Sequence, residues 1–469
     1  MKNMKRIIFV VVAVLATVAL ALPVLAVEFK YGGMYYVRWQ SNQNLSGFNG
    51  HPSDDNNYMD QRLRMYFDFV GSENLQVVTK WEVDTLWGNS FDKFSTGGGV
   101  GADAINLEMK NVYIDFAIPY TPVRANLGVQ GLTLLSGWII DDDFSAANFS
   151  SKFGPVEIKA AYIAGQNNNV TSTRDNIDDV YLSIDYSNGP FSASLVGFYQ
   201  DGHDAAFEYY TGNLGVPVTN GGPLEFHPTQ NNQLFDLGLA LAYKQDWFDV
   251  FLNYVQNLGS YDDLVIKGRQ VDYRGFMVEA GANFVLKSFT FTLGGFLASG
   301  DTDLNDGTNN AFQYPEGRSH YWSEILGLGT LDNNISGSYL NPVRTTPKST
   351  GTVQSINDFP ANKGGYSVAD GPSNIWTISA GVAWQALEST KLTATYYYVG
   401  TEKSVLANDR TGETSSSIGN EIDFYVDQEI MPKLKLRLVG AYLFANDAYT
   451  VSPHDENAYE AGAMLEWKF

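Results

Sequence analysis

The chain has 469 residues, no cysteine, and 52 acidic against 30 basic side chains, for a net charge of −22. Without cysteine there can be no disulfide, thiolate metal site or c-type haem attachment, and so acidic a chain should not bind nucleic acid. Mean hydropathy is −0.18. Length alone would allow two or three soluble domains, but no linker or change of composition divides the sequence.

At the N-terminus Lys2, Lys5 and Arg6 precede an apolar run from Ile7 to Leu22, and Val24-Leu25-Ala26 follows. The run is short for a membrane anchor, and the small residues supply a cleavage site, so residues 1–26 are expected to be a secretory signal peptide cut after Ala26. Loss of those three cations takes the net charge from −22 to −25.

Alternating segments then recur along the chain. The first carries Phe29, Tyr31, Gly33, Tyr35, Val37 and Trp39 on one face. Leu63, Met65, Phe67 and Phe69 alternate with Arg62, Arg64, Tyr66 and Asp68. Similar patterns begin at Phe235, Phe276 and Leu434, and the last, Tyr459–Phe469, ends on an aromatic residue. Strict period-two alternation marks strands with one oily and one wet face. No other segment approaches a spanning helix, and a low mean hydropathy fits a barrel because only alternate residues meet lipid.

The connections alternate between short turns, such as Gly71–Asn74, Ser187–Pro190, Lys244–Trp247, Val285–Ser288 and Ile430–Lys433, and long polar loops, such as Asp201–Asn232 and Gly300–Asn374. Phe69, Tyr186, Phe191, Tyr243, Phe248, Phe284, Phe289, Trp384 and Phe469 lie beside short turns or at the end, as an interfacial girdle would. The pattern predicts an all-β fold, a transmembrane antiparallel up-and-down β-barrel of about 18 strands occupying residues 27–469 as one domain. Short turns and both termini would be periplasmic, which requires an even count. Phe149–Phe153 decides between 18 strands and 16, and a bulge is expected near Asn111.

The facing pattern puts Arg38, Arg62, Arg64, Lys80 and Arg124 inside, on the first, second, third and fifth strands, as one basic wall. Charges on that wall imply water in the lumen. The other reading is a set of ion pairs with Glu82, Asp84 and Glu157 that rigidify the barrel.

Gln61-Arg62-Leu63-Arg64, Asn111-Val112-Tyr113-Ile114-Asp115-Phe116, Leu127–Leu132, Asp141–Phe144 and the terminal strand resemble the outer-membrane general porins, particularly the homotrimeric porins of sulfate- and metal-reducing bacteria. The resemblance implies a bacterial outer-membrane homotrimer in contact with lipid. Each water-filled barrel would pass small hydrophilic solutes or ions by passive diffusion and catalyse no reaction. In such porins the connection after the fifth strand folds inward. Residues 132–148 would then form a constriction loop, with Asp141, Asp142 and Asp143 facing Arg62, Arg64 and Arg124 across a transverse field. Alternatively those aspartates form an external acidic loop. The external connection at 300–374 is long for a general porin and could cap the pore or bind a partner. A substrate-specific channel and a structural sleeve for a redox cytochrome are the alternatives.

Asp301, Asp303 and Asn305 place oxygen ligands at alternate positions, as at the start of a calcium loop. The glycine falls one place late and the distal Glu is missing, so a solvated acidic loop is the alternative, and calcium is the only cofactor the sequence raises. His51, His203, His227, His320 and His454 all fall in expected external loops, and no Ser, His and Asp spacing argues for an enzyme.

Overall fold

The computed structural model describes residues 27–44, 56–88, 98–99, 105–167, 176–202, 207–209, 227–263, 269–301, 306–315, 320–327, 329–331, 344–345, 354–355, 373–406, 413–449 and 457–469. The expected signal segment lies outside them. The alternating segments are strands. In chain order these are β1 Glu28–Gln43, β2 Asn56–Ser72, β3 Leu75–Leu86, β4 Glu108–Ala117, β5 Val123–Leu134 and β6 Ile140–Phe153. Next come β7 Val156–Asn167, β8 Asn176–Asn188, β9 Phe191–Gly202, β10 His227–Lys244, β11 Phe248–Asp263 and β12 Phe276–Leu286. The last are β13 Phe289–Ala298, β14 Ile375–Leu387, β15 Thr390–Leu406, β16 Thr414–Met431, β17 Leu434–Ala445 and β18 Ala458–Lys468.

Each strand pairs antiparallel with the next, and β18 pairs with β1, so the sheet closes. The sheet has 21 strands, of which Phe207–Tyr209, Arg269–Tyr273 and Thr308–Asn309 are short additions, leaving a barrel of eighteen. Phe149–Phe153 belongs to β6, which settles the count above 16. The register slips between Lys80 and Trp81 opposite Asn111, where a bulge was expected. Two-residue turns such as Gly154-Pro155 and Gly189-Pro190 put glycine at φ 59° and 58°, a conformation most side chains disfavour.

Outward side chains are apolar and exposed, among them Phe29, Leu195, Leu293, Ile378 and Phe424. Near the short-turn rim they are aromatic and touch: Phe29–Phe69 ring centroids are 5.4 Å apart, Phe289–Trp384 5.9 Å and Trp467–Phe469 4.7 Å. Lipid is the only solvent in which so continuous an apolar surface is stable on a closed barrel. Leu293 lies near the middle of β13 and is 55% exposed. Leu293→Arg is therefore expected to destabilise the barrel by roughly 2–4 kcal/mol relative to Leu293→Ala, read by urea unfolding in lipid vesicles. A difference near zero would place Leu293 off the lipid face.

The interior is not an open cylinder. A buried apolar cluster joins wall residues, including Val255, Met277, Phe296 and Val399, to Trp138 and Ile139 from the β5–β6 connection and to Phe312, Ile325 and Leu326 from the β13–β14 connection. The core of this protein therefore sits inside the barrel, built by chain that leaves the wall and enters the lumen.

Candidate functional site in the pore interior

The basic residues of the first strands all lie on lumen-facing positions, and most are matched to a carboxylate. Arg38 is opposite Asp60 in the β1–β2 register, and the two are 2.5 Å apart. Arg62 faces Asp84 across β2–β3 and donates to both its oxygens, Nε at 2.7 Å and Nη2 at 2.8 Å. Arg64 faces and contacts Glu82. Arg124 grips Asp115 in the same two-pronged way, at 2.5 and 2.9 Å. The Lys80 ammonium lies 5.9 Å from the centre of the Tyr66 ring. Planar guanidinium against planar carboxylate is a rigid, directional pairing. The expected ion pairs with Glu82 and Asp84 form, whereas Glu157 instead lies 3.4 Å from Lys159. The wall is a row of compensated charges. Arg38 is buried, while Arg62 is 19% exposed, Arg64 27% and Arg124 39%.

The aspartates expected across a constriction are elsewhere. β5 and β6 stay paired up to Leu134 opposite Ile140, so Asp141, Asp142 and Asp143 are strand residues and only residues 135–139 of the expected 132–148 loop leave the pairing. Asp141 accepts a hydrogen bond from Thr133 Oγ1 at 2.6 Å and Asp142 from the Asp143 amide at 2.7 Å. Asp143 accepts from Asn111 Nδ2 at 2.6 Å and lies 3.8 Å from Lys110. Among the described ion pairs none joins these aspartates to Arg62, Arg64 or Arg124.

What enters the lumen is the apolar tip of that hairpin. Leu135, Ser136 and Gly137 turn through left-handed backbone at φ 49°, 55° and 85°, which drives Leu135, Trp138 and Ile139 inward to full or near-full burial. Gly238 on β10 leaves room for this tip: a Cβ there would lie 2.8 Å from Leu135 Cδ1. The Trp138 indole donates to Glu279 Oε2 on β12 at 2.6 Å, and the same oxygen accepts from Asn253 Nδ2 at 2.8 Å.

The second inward element is the described part of the β13–β14 connection. Expected outside, it is a plug. Phe312, Ile325 and Leu326 are at most 2% exposed, and Leu331 is fully buried. It is tied to three sectors of the wall. On β16, Glu421 accepts hydrogen bonds from the backbone N–H groups of Ile325 at 2.7 Å and Leu326 at 3.2 Å and from Ser323 Oγ at 3.0 Å. Asp423 accepts from the Glu324 amide at 3.1 Å. On β17, Arg437 Nη1 donates to Thr330 Oγ1 at 3.1 Å, and on β1 Arg38 Nη1 reaches the Thr330 carbonyl at 3.4 Å. On the β12 side, His320 stacks on Trp138 at 3.9 Å, with Nδ1 3.1 Å from the Ser136 carbonyl and Nε2 3.5 Å from Glu279 Oε1. His320 is thus a lumen residue, not one of an external loop. Beside this clasp lies a cavity of about 480 Å³ lined by Ser136, Asp185, Ser194, Asn253, Glu279 and His320.

Asp301 Oδ2 accepts from the Asn310 backbone at 2.6 Å, while Asp303 and Asn305 lie outside the described residues. Among the described residues no group of three acidic or histidine side chains is placed to hold a metal ion. Of the other histidines, His51, His203 and His454 lie outside the described residues, and His227 begins β10. Two sequence signals, neither of them decisive before the fold is known, could have found the plug. One was the apolar stretch Ile325-Leu326 after Trp322 inside a polar connection. The other was two acids, Glu421 and Asp423, on one strand face with no basic partner nearby in sequence.

No protein-family model and no curated protein matches the chain. Solved structures do. OccK1 (OpdK) of Pseudomonas aeruginosa aligns with a TM-score of 0.53 at 10% identity, covering 94% of this chain and 98% of that one. OprD of the same organism aligns at 0.52 and 11%, covering 94% and 93%. A BenF-like porin from Pseudomonas fluorescens Pf-5 aligns at 0.51 and 9%, covering 94% and 98%. At such identities the likeness is one of fold. Together with the aromatic-belted, lipid-facing exterior, it makes this chain an outer-membrane barrel with the porin fold.

Proposed function

We propose that this protein is an outer-membrane channel selective for small hydrophilic solutes, and that the solute path runs along the arginine–carboxylate row of β1–β5. The observation that carries this reading is the division of the lumen. An apolar plug and hairpin tip fill part of it, while Arg62, Arg64 and Arg124 keep exposed edges on the remaining wall. Fixed guanidinium and carboxylate groups exchange hydrogen bonds with a polar solute as it sheds water, and a narrowed bore makes each contact count. The plug favours selective passage over the free diffusion of a general porin. It also argues against a sleeve for a cytochrome, because such a sleeve needs an empty bore. Homotrimeric assembly belongs to this proposal and rests on the sequence resemblance.

Planar-bilayer recording of the purified protein tests it. Steady conductance is expected, stepping in threes for a trimer, and silence would sink the channel reading. Arg62→Glu with Arg64→Glu leaves Asp84 without its arginine and Glu82 with only Lys110, 3.6 Å away, and adds two carboxylates to the lumen, so cation over anion permeability is expected to rise about threefold or more. An unchanged reversal potential would remove this wall from the path.

A further inference from the structure

We infer that the plug is a proton-operated latch: the Glu421–Asp423 carboxyl pair keeps residues 320–327 and 329–331 in the lumen only while it holds a proton. The consequence for solute flow rests on the channel reading above.

The first clasp is a carboxyl pair without a cation. Glu421 and Asp423 occupy alternate positions of β16, so their side chains are neighbours on one face, and both are fully buried. The oxygens of Glu421 are taken by donors of the plug. Asp423 Oδ2 has the Glu324 amide and the Tyr425 hydroxyl, the latter at 3.3 Å, while Asp423 Oδ1 has no donor. The plug's own Glu324, 1% exposed, folds back onto the Thr330 and Leu331 amides at 2.8 and 3.3 Å and brings a third carboxyl to the same place. Tyr397 of β15 and Tyr425 of β16 are the other titratable groups around it. The nearest cations are engaged elsewhere: Arg437 with Asp427 at 2.6 Å and Arg38 with Asp60. Among the described ion pairs none involves Glu324, Glu421 or Asp423. Carboxylates removed from water without a counter-ion are costly, and two sharing one dry site share a proton. Asp423 Oδ1 is the atom left to carry it.

A second clasp holds the start of this segment by packing and contact. His320 stacks on Trp138, with Nδ1 3.1 Å from the Ser136 carbonyl and Nε2 3.5 Å from a Glu279 oxygen. Glu279 Oε2 is already held by Trp138 and Asn253, which fixes Oε1 toward the ring. The other charge on that cavity wall, Asp185, is paired with Lys159 at 3.1 Å.

With the plug in place the carboxyl pair holds a proton, and with the plug withdrawn water reaches the carboxyls and the proton leaves. Acid therefore closes the bore and alkali opens it. The linked proton changes the open-to-closed ratio by up to about tenfold per pH unit.

The natural absence of cysteine allows a direct test. Leu326→Cys puts a thiol in the buried plug while leaving the backbone N–H that bonds Glu421. Its labelling by a methanethiosulfonate reagent is measured in lipid vesicles, relative to the urea-unfolded chain at the same pH. The label is expected to be excluded near pH ~5 and to react at least about tenfold faster near pH ~9. Asp423→Asn, which supplies a donor that does not titrate, should flatten that rise. Each variant is scored on its heat-modifiable, folded fraction. A flat profile for Leu326→Cys, or one left equally steep by Asp423→Asn, overturns the latch. Conductance is recorded on the same samples. Labelling that follows pH without conductance at any pH would uphold the latch and remove the channel reading; conductance with flat labelling would do the reverse.

Discussion

Excising residues 306–331 behind a Gly-Ser bridge is expected to raise single-channel conductance at least about threefold, because an eighteen-stranded barrel without filling leaves an aqueous channel. The filling here is Phe312, Tyr314, Ile325 and Leu326 packed against Trp138 and Ile139. None of the eighteen barrel strands is interrupted by the excision, so the hydrogen-bonded wall survives it. The cost is the burial of the plug's apolar side chains, about 1.5–3 kcal/mol for each one fully buried. The variant should therefore unfold at lower urea than the parent while conducting more. Planar-bilayer recording reads the first quantity, and the loss of heat-modifiability in urea reads the second. Unchanged conductance would mean that the solute path never crosses this segment.

The second large effect is expected at the seam that closes the barrel. β1 and β18 are paired from Met34–Lys468 to Gln43–Tyr459, and beyond them Gly33 and Phe469 exchange two backbone hydrogen bonds at 3.1 Å each. Gly33 has no Cβ for a physical reason. One built there would lie 2.7 Å from the Phe469 ring and would also meet the Arg64 carbonyl. The ring fills that notch and touches Trp467. Gly33→Val forces ring and backbone apart at the one junction whose strands are farthest apart in sequence. Phe469→Ala keeps the hydrogen bonds and empties the notch. The folded yield in vesicles is expected to fall at least about tenfold for Gly33→Val, equivalent to about 1.4 kcal/mol or more, and by less for Phe469→Ala. Equal yields for Gly33→Val and the parent would show that the notch does not matter to closure.

The eighteen strands, their facing and their closure were legible because they rest on local pattern. Period two along a strand fixes which side chains face lipid, and it placed Phe29, Tyr31 and Trp39 outward and Tyr36, Arg38 and Gln40 inward. The short turns and girdle aromatics gave the barrel its polarity for the same reason. What pattern alone left open was decided between distant residues. Whether Arg62 and Arg64 stood bare or paired depended on the β2–β3 register, which set them opposite Asp84 and Glu82. Asp141–Asp143 joined a strand because pairing with β5 persisted to the hairpin tip, and only five residues remained to turn. The plug was hidden because a connection that is polar on average carries a few apolar residues, and their burial depends on acceptors 95 to 99 positions away, at Glu421 and Asp423. Sequence by itself therefore determined the barrel, since lipid rewards every alternate residue equally. The contents of the bore were left to tertiary structure, where a buried N–H or carboxyl group must find its partner anywhere in the chain.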